Sequence, residues 1–437
     1  MRKKILFFLS SFLVGPLLQG QGYTSWVTGD PSDVVAAAHQ PGIVLAGGGG
    51  DNDQAMAWLL QRADEGDVVV LRASGADGYN PYFYSELGVA VNSVETIRFD
   101  GPAAATDPYV AQQIRDAEAL FIAGGDQYDY YQLWKDTPIE DAINYLINEK
   151  GVTVGGTSAG MAILGGAYYT PQGSSLESAQ ALANPFHPNV EILGKGDFIH
   201  VPLLEDVVTD THYDQRDRQG RHMTFLARLI HDHGVRSFGI ACNEYTAVCI
   251  DETGLAQVFG EYPDYDDFAY FLKSNCQTDF SPEVIAAANP LTWNRQQSAV
   301  KVYQLPGTAT GGNTFDLNDW LAGNGGEWQN WYVENGALLK ILEVDGDCAS
   351  LTALEEQTAN GGLVKVFPNP FLNSLFIQPN SGSELEFRLT NLLGQTVWQG
   401  RSGYFSLPVD LGFLPSGNYW LEMLSVGRIG TVKVVKN

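Results

Sequence analysis

Five short apolar runs, Ile43 to Ala46, Asp67 to Leu71, Glu95 to Phe99, Ala119 to Ile122 and Val152 to Val154, alternate with amphipathic stretches at Asp53 to Ala63, Val110 to Asp116 and Ile139 to Glu149. Runs this short, mostly apolar or β-branched, suit strands buried on both faces. Strands placed side by side in parallel need long crossovers, and helical crossovers must bury an apolar stripe on the sheet. The predicted fold class is therefore α/β, a mostly parallel sheet with helices on both faces. Later runs at Ser237 to Ala241, Thr246 to Ile250 and Ala256 to Phe259 follow one another without helices and are expected to form an antiparallel edge closing the same sheet.

Charge divides the chain. Residues 363–437 carry six basic and four acidic side chains, whereas residues 21–362 carry sixteen and forty-seven. The segment 343–362 lacks periodicity over most of its length and reads as a linker. Beyond it, short runs at Val364 to Phe367, Leu375 to Gln378, Leu385 to Thr390, Thr396 to Gln399, Tyr419 to Leu424 and Gly430 to Val435 are separated by turn residues, the pattern of a small all-β sandwich. At the other end, Arg2, Lys3 and Lys4 precede an apolar run from Ile5 to Leu18, too short to span a membrane and right for a secretory signal. The expected organisation is a signal peptide over 1–20, a main domain over 21–342, a linker over 343–362 and a β-sandwich over 363–437. A chain of 437 residues with a net charge of −26 does not grip nucleic acid by neutralising phosphates. Of its four cysteines, Cys242 and Cys249 fall in apolar runs and read as buried thiols, while Cys276 and Cys348 lie in polar surroundings and are the expected disulfide if one forms.

Gly156-Thr157-Ser158-Ala159-Gly160 fits the elbow in which a strand turns sharply into a helix with a serine at the bend. Such a serine needs a base, and His212, in the irregular polar stretch Thr209 to Arg221, is the strongest of seven histidines. The base needs a carboxylate to orient it. Glu177, in a loop-like segment, and Glu244, between two apolar strands, both qualify, and spacing does not choose between them. Gly124-Gly125-Asp126-Gln127 follows a strand, so the Gly125 and Ala159 amides suit an oxyanion hole. Arg216, Arg218 and Arg221 cluster within six residues, and their guanidinium forks suit substrate carboxylates, although Asp210, Asp214 and Asp217 are alternative partners. His231-Asp232-His233 is not read as a metal site, because residues two apart at a helix end do not face each other. Gly47 to Gly50 lacks the lysine of a phosphate loop and reads as a tight turn near the active-site floor.

Four of these segments in order, Gly124 to Gln127, Gly156 to Gly160, Asp210-x-His212 with Arg216-x-Arg218-x-x-Arg221, and Glu244-x-Thr246-Ala247, resemble the cyanophycinase-like serine peptidases, relatives of the dipeptidase peptidase E. The resemblance implies a class I glutamine amidotransferase-like sheet, no cofactor or metal, and a peptide substrate, namely cyanophycin or a related aspartyl or isoaspartyl peptide cleaved by release of β-Asp-Arg. It implies Ser158 as nucleophile, His212 as base, and Gln127, Asp210, Arg216, Arg218 and Arg221 at the substrate. The chain order it implies favours Glu177 over Glu244. Thr211 stands where the family has glutamine, which loosens the tie to cyanophycin itself. An aspartyl dipeptidase of the peptidase E type and a non-catalytic surface binding protein are the competing readings. The tail, through Val366-Phe367-Pro368-Asn369-Pro370, Asn391-Leu392-Leu393-Gly394-Gln395 and Leu414-Pro415-Ser416-Gly417-Asn418-Tyr419, resembles the C-terminal sorting domains of type IX secretion. That implies a secreted or outer-membrane-surface product and the secretion machinery as partner, with a homodimer left open.

Overall fold

The computed structural model describes residues 22–342, apart from 191, 277 and 278, and residues 364–367, 371, 373–379, 385–391, 395–402, 407–425 and 428–436. The chain divides into two compact units, Met1–Gly346 and Asp347–Asn437. The expected signal peptide and the expected linker lie outside the described residues.

In the first unit, strands β1 (Tyr23–Gly29), β2 (Gly42–Ala46), β3 (Asp67–Arg72), β4 (Ser93–Phe99), β5 (Ala119–Ile122) and β6 (Thr153–Thr157) lie in the order β1-β4-β3-β5-β6-β2 within a ten-stranded sheet. All but β1 are parallel to their neighbours in this series, and β1 pairs antiparallel with β4. Side-chain alternation on these strands feeds two cores. Val44, Ala46, Val68, Val70, Ala119 and Phe121 pack with Ala55, Met56, Leu59 and Leu60 of helix α1 (Asp53–Gln61). Their neighbours Ile43, Leu45, Val69, Leu71, Leu120, Ile122 and Val154 belong to a second cluster. That cluster includes helix residues Val110 and Ile114 from Pro108–Asp116 and Ile139, Ala142 and Ile143 from Pro138–Tyr145. Both faces are thus covered, which is why the strands read as unbroken apolar runs.

After β6 the chain builds a second sheet through β7 (Ala167–Tyr169), β8 (Leu193–Lys195), β9 (Val207–Asp210) and β10 (Phe238–Cys242). It then returns to the first sheet for β11 (Ala247–Asp251), which pairs antiparallel with β2, and β12 (Leu255–Phe259). This corrects the expectation of a single antiparallel edge. β10 pairs with β9 in parallel and with Phe268–Ser274 antiparallel, and only β11 and β12 join the first sheet. The link Asn243-Glu244-Tyr245-Thr246 therefore passes from one sheet to the other at the ends of their strands. Cys276 is disulfide-bonded, Cys242 and Cys249 are free and buried, and Cys348 lies outside the described residues.

In the second unit, Val364–Phe367, Ser374–Pro379 and Leu407–Asp410 form a three-stranded antiparallel sheet. A four-stranded antiparallel sheet comprises Thr396–Ser402, Leu385–Asn391, Gly417–Ser425 and Arg428–Lys436. Leu375 and Ile377 from the first, with Phe387, Leu389, Leu421 and Val434 from the second, share one core, the packing of a small β-sandwich.

Candidate active site

β6 runs into Ser158 with no intervening residue, and Ser158 has φ 51° and ψ −110°, a conformation L residues rarely hold. The short helix Ala159–Ala162 follows at once. The bend closes only because its glycines lack side chains: a Cβ on Gly156 would lie 2.4 Å from the Gly160 carbonyl carbon, and one on Gly160 would lie 2.1 Å from the Ile122 carbonyl oxygen. The hydroxyl is thereby held at the carboxyl ends of the parallel strands, where open α/β sheets present their functional groups.

Ser158 Oγ lies 2.8 Å from His212 Nε2, and His212 Nδ1 lies 2.6 Å from Glu244 Oε1. The three come from β6, from the turn after β9 and from the link between β10 and β11. His212 is buried and itself in the left-handed region, at φ 46°. Its pKa lies below the ordinary histidine value: burial lowers it, Glu244 opposes that through its hydrogen bond and charge, and the charges of Arg216 and Arg218 lower it further. The imidazole is accordingly neutral at pH 7, with a lone pair available to take the Ser158 proton.

The carboxylate on the imidazole is Glu244 and not Glu177. Glu177 is exposed and caps the helix Ser178–Ala183, where the Gln180 side chain accepts from its backbone N–H at 3.2 Å. Residues not singled out in the sequence hold the His212 and Glu244 turns together. Asn243 Oδ1 accepts from the Asp214 N–H at 3.1 Å while its Nδ2 donates to Asp214 Oδ2 at 3.0 Å and to the Asp266 carbonyl at 2.8 Å. Gln215 Oε1 accepts from the Glu244 N–H at 3.1 Å. The only available signal for Asn243 was its position beside a candidate acid at a strand end.

The arginine cluster separates into different roles. Arg221 is buried, and its guanidinium is committed to both oxygens of Asp210, at 2.8 and 2.5 Å, to Ser175 Oγ and to the Leu176 carbonyl. Burial alone would raise the Asp210 pKa, but Arg221 and Arg218 outweigh it and hold the carboxyl below its usual range. Asp210 and Arg221 thus neutralise each other inside the protein, contrary to the expectation that both contact substrate. Arg218 Nη1 donates to the Thr211 carbonyl and hydroxyl, at 3.0 and 2.9 Å. Arg216 is exposed, and its guanidinium makes no hydrogen bond or ion pair among the described residues. On the elbow's other side, a Cβ on Gly124 would meet Ser158 Cβ at 3.5 Å, while Gly125 is exposed next to Tyr130 and Ser74. Gln127 is half-buried and donates to the Tyr169 carbonyl at 3.3 Å. Ala159 opens its helix, so its N–H is among those left without an intrahelical acceptor. Among the described residues, no cluster of three histidine, cysteine or carboxylate groups could hold a metal, and His231 pairs with its neighbour Asp232.

Residues 77–258 match Peptidase family S51, and residues 365–437 match the Secretion system C-terminal sorting domain. A cyanophycinase of Geminocystis herdmanii (strain PCC 6308) is 28% identical over 178 residues, 41% of this chain and 58% of the relative. A cyanophycinase of Synechococcus elongatus is 26% identical over 230 residues, 50% of this chain and 66% of the relative. The chain thus spans less than two thirds of the length of these curated relatives. A solved peptidase from an acI-B1 Actinobacterium has 16% sequence identity and a TM-score of 0.42, with 64% of this chain and 98% of that one covered. The chain carries a Peptidase family S51 domain followed by a C-terminal sorting domain.

Proposed function

We propose that the first unit is a serine peptidase acting on aspartyl or isoaspartyl peptides, cyanophycin among them, with Ser158 as nucleophile, His212 as general base and Glu244 as the acid that orients it. One observation carries the reading: the unbroken hydrogen-bonded chain from Ser158 Oγ through His212 to Glu244. As Ser158 Oγ attacks the scissile carbonyl carbon, its proton passes to His212 Nε2. Glu244, bonded at Nδ1, stabilises the imidazolium that forms. Backbone N–H groups of Gly125 and Ala159 receive the negative charge on the carbonyl oxygen. Collapse of the tetrahedral intermediate breaks the peptide bond as His212 returns the proton to the leaving amine. Water, activated by the same imidazole, then hydrolyses the acyl-serine.

Arg216 supports an acidic substrate, because an exposed guanidinium with no side-chain partner among the described residues matches a carboxylate. Arg218 and Gln127 complete the proposed pocket. Thr211 is buried and its hydroxyl is held by Arg218, so this position offers substrate less reach than a glutamine would. The sorting domain supports export through type IX secretion with removal of the tail. The test is incubation of the purified protein with cyanophycin and with α- and β-aspartyl dipeptides, the products being identified by mass. Release of β-Asp-Arg or of aspartate by the native protein but not by Ser158→Ala is expected. Equal release by Ser158→Ala would refute the reading.

A further inference from the structure

The four consecutive glycines Gly47 to Gly50 are not used by the chemistry above, yet every member of the constellation touches the turn they form. Three successive backbone carbonyls serve three different segments. The Ala46 carbonyl accepts from the Ser158 N–H at 3.0 Å, the Gly47 carbonyl from the His212 N–H at 2.9 Å, and the Gly48 carbonyl from the N–H of Tyr245, next to Glu244, at 2.9 Å. The Gly47 N–H donates back to the Thr246 carbonyl at 2.9 Å. One strand end thus fixes the backbone of the elbow, the base turn and the acid link, which come from two different sheets.

The side of the turn away from these carbonyls is as closely occupied. Gly48, at φ 92°, has no room for a Cβ, which would lie 2.6 Å from both Cε1 and Nε2 of His212 and 3.0 Å from Ser158 Cβ. At Gly49, φ 78°, a Cβ would lie 2.8 Å from Glu244 Cβ and from its Oε2. At Gly47 it would lie 1.9 Å from the Asn243 carbonyl oxygen, and at Gly50 2.3 Å from the Tyr245 ring. Positive φ accounts for glycine at the middle two positions. It does not account for the direction of the contacts: the Gly48 site is filled by the Ser158–His212 pair and the Gly49 site by Glu244.

We propose that this turn is the template that sets the geometry of the catalytic groups, with Gly48 the positioning residue for the Ser158–His212 contact and Gly49 the positioning residue for the His212–Glu244 contact. The proposal rests on the serine-peptidase reading. In Gly48→Ala the added methyl must push the imidazole away from the hydroxyl. A displacement of about 1 Å at reacting atoms costs on the order of 100-fold in rate. In Gly49→Ala it must displace the Glu244 carboxylate. Because Glu244 raises the His212 pKa against burial and the charges of Arg216 and Arg218, loosening it moves that pKa further down.

The experiment compares phosphonylation of Ser158 by a fluorophosphonate, as a rate against pH, in the full protein and in Gly48→Ala, Gly49→Ala and Gly88→Ala, with the His212 imidazole pKa read by NMR in each. Gly88 also has a positive φ, 69°, but a Cβ there meets nothing within 4 Å, so an alanine there meets positive-φ strain without a clash. Expected are a loss of about 100-fold in Gly48→Ala, an acid limb and an imidazole pKa shifted downward in Gly49→Ala, and native behaviour in Gly88→Ala. Native rates in folded Gly48→Ala, an unmoved pKa in Gly49→Ala, or an equal loss in Gly88→Ala would overturn the template. A native protein that never reacts at Ser158 while Gly49→Ala still shifts the pKa would defeat the peptidase reading and leave the template standing. Should Gly48→Ala fail to fold, the Gly49→Ala pKa decides alone.

Discussion

The His212 environment suits the proposed base to neutral pH, and its composition can be tested one charge at a time. Its folded pKa is lowered, so the deprotonated, active imidazole persists to more acidic pH than an isolated histidine would allow. Arg216 is one of the groups that lower it. Removing that charge must raise the pKa, and the acid limb of kcat/KM in Arg216→Gln should therefore move toward higher pH. A limb that stays in place or moves down would show that Arg216 does not act on the base. Ser158 and His212 were legible because the elbow and the polar loop each have a local signature. The acid was not. Glu177 and Glu244 are both short-range plausible, and the order implied by resemblance favoured the wrong one for contact with His212. What decides is a three-dimensional fact, the passage of Asn243 to Thr246 between sheets. The same passage between sheets is why the runs over 237–259 do not form the one antiparallel edge that their spacing suggests.

At the level of elements, the parallel strands were legible because burial on both faces leaves apolar runs that no other class of strand requires. The anchoring of the base turn was not, since ion pairing inside a protein has no sequence period. β9 ends in Asp210, helix Gln219–His233 carries Arg221, and their buried pair closes the loop between them that bears His212. Arg221→Met takes both guanidinium hydrogen bonds from buried Asp210 and leaves it only Arg218, 3.7 Å away, so stability at pH 7 should fall, by at most about 3–5 kcal/mol. Asp210→Leu combined with Arg221→Met should recover much of that loss, because two apolar groups remove the buried carboxylate that has lost its hydrogen-bonding partner. Chemical denaturation of the three variants checks both statements. The pH dependence carries a definite sign. Asp210 has a depressed folded pKa, so its contribution is present above the unfolded aspartate value of about 4 and is lost as pH falls through the lower folded value. The native protein should therefore lose more stability on acidification below about pH 4 than the double variant does.

On the scale of the whole molecule, charge and turn composition point to two units. Sixteen basic against forty-seven acidic side chains over 21–362, and near balance over 363–437, mark two segments of the chain under different demands. With the sorting domain at 365–437, the proposed life history is export followed by loss of the tail. Mass spectrometry of culture medium should find a species lacking about the first 20 residues and the residues from 363 onward, and an intact chain confined to the cytoplasm would contradict it. The chemistry itself is tested most directly by one series of kcat/KM measurements on a β-aspartyl peptide. Ser158→Ala and His212→Ala should each lose several orders of magnitude, and the double variant should be little worse than either, because the groups act as a unit. Glu244→Gln should lose on the order of 10⁴-fold, while Glu177→Gln should stay within about twofold, as expected of an exposed helix cap without contact to the base. Full activity in Ser158→Ala, or a larger loss in Glu177→Gln than in Glu244→Gln, would contradict it.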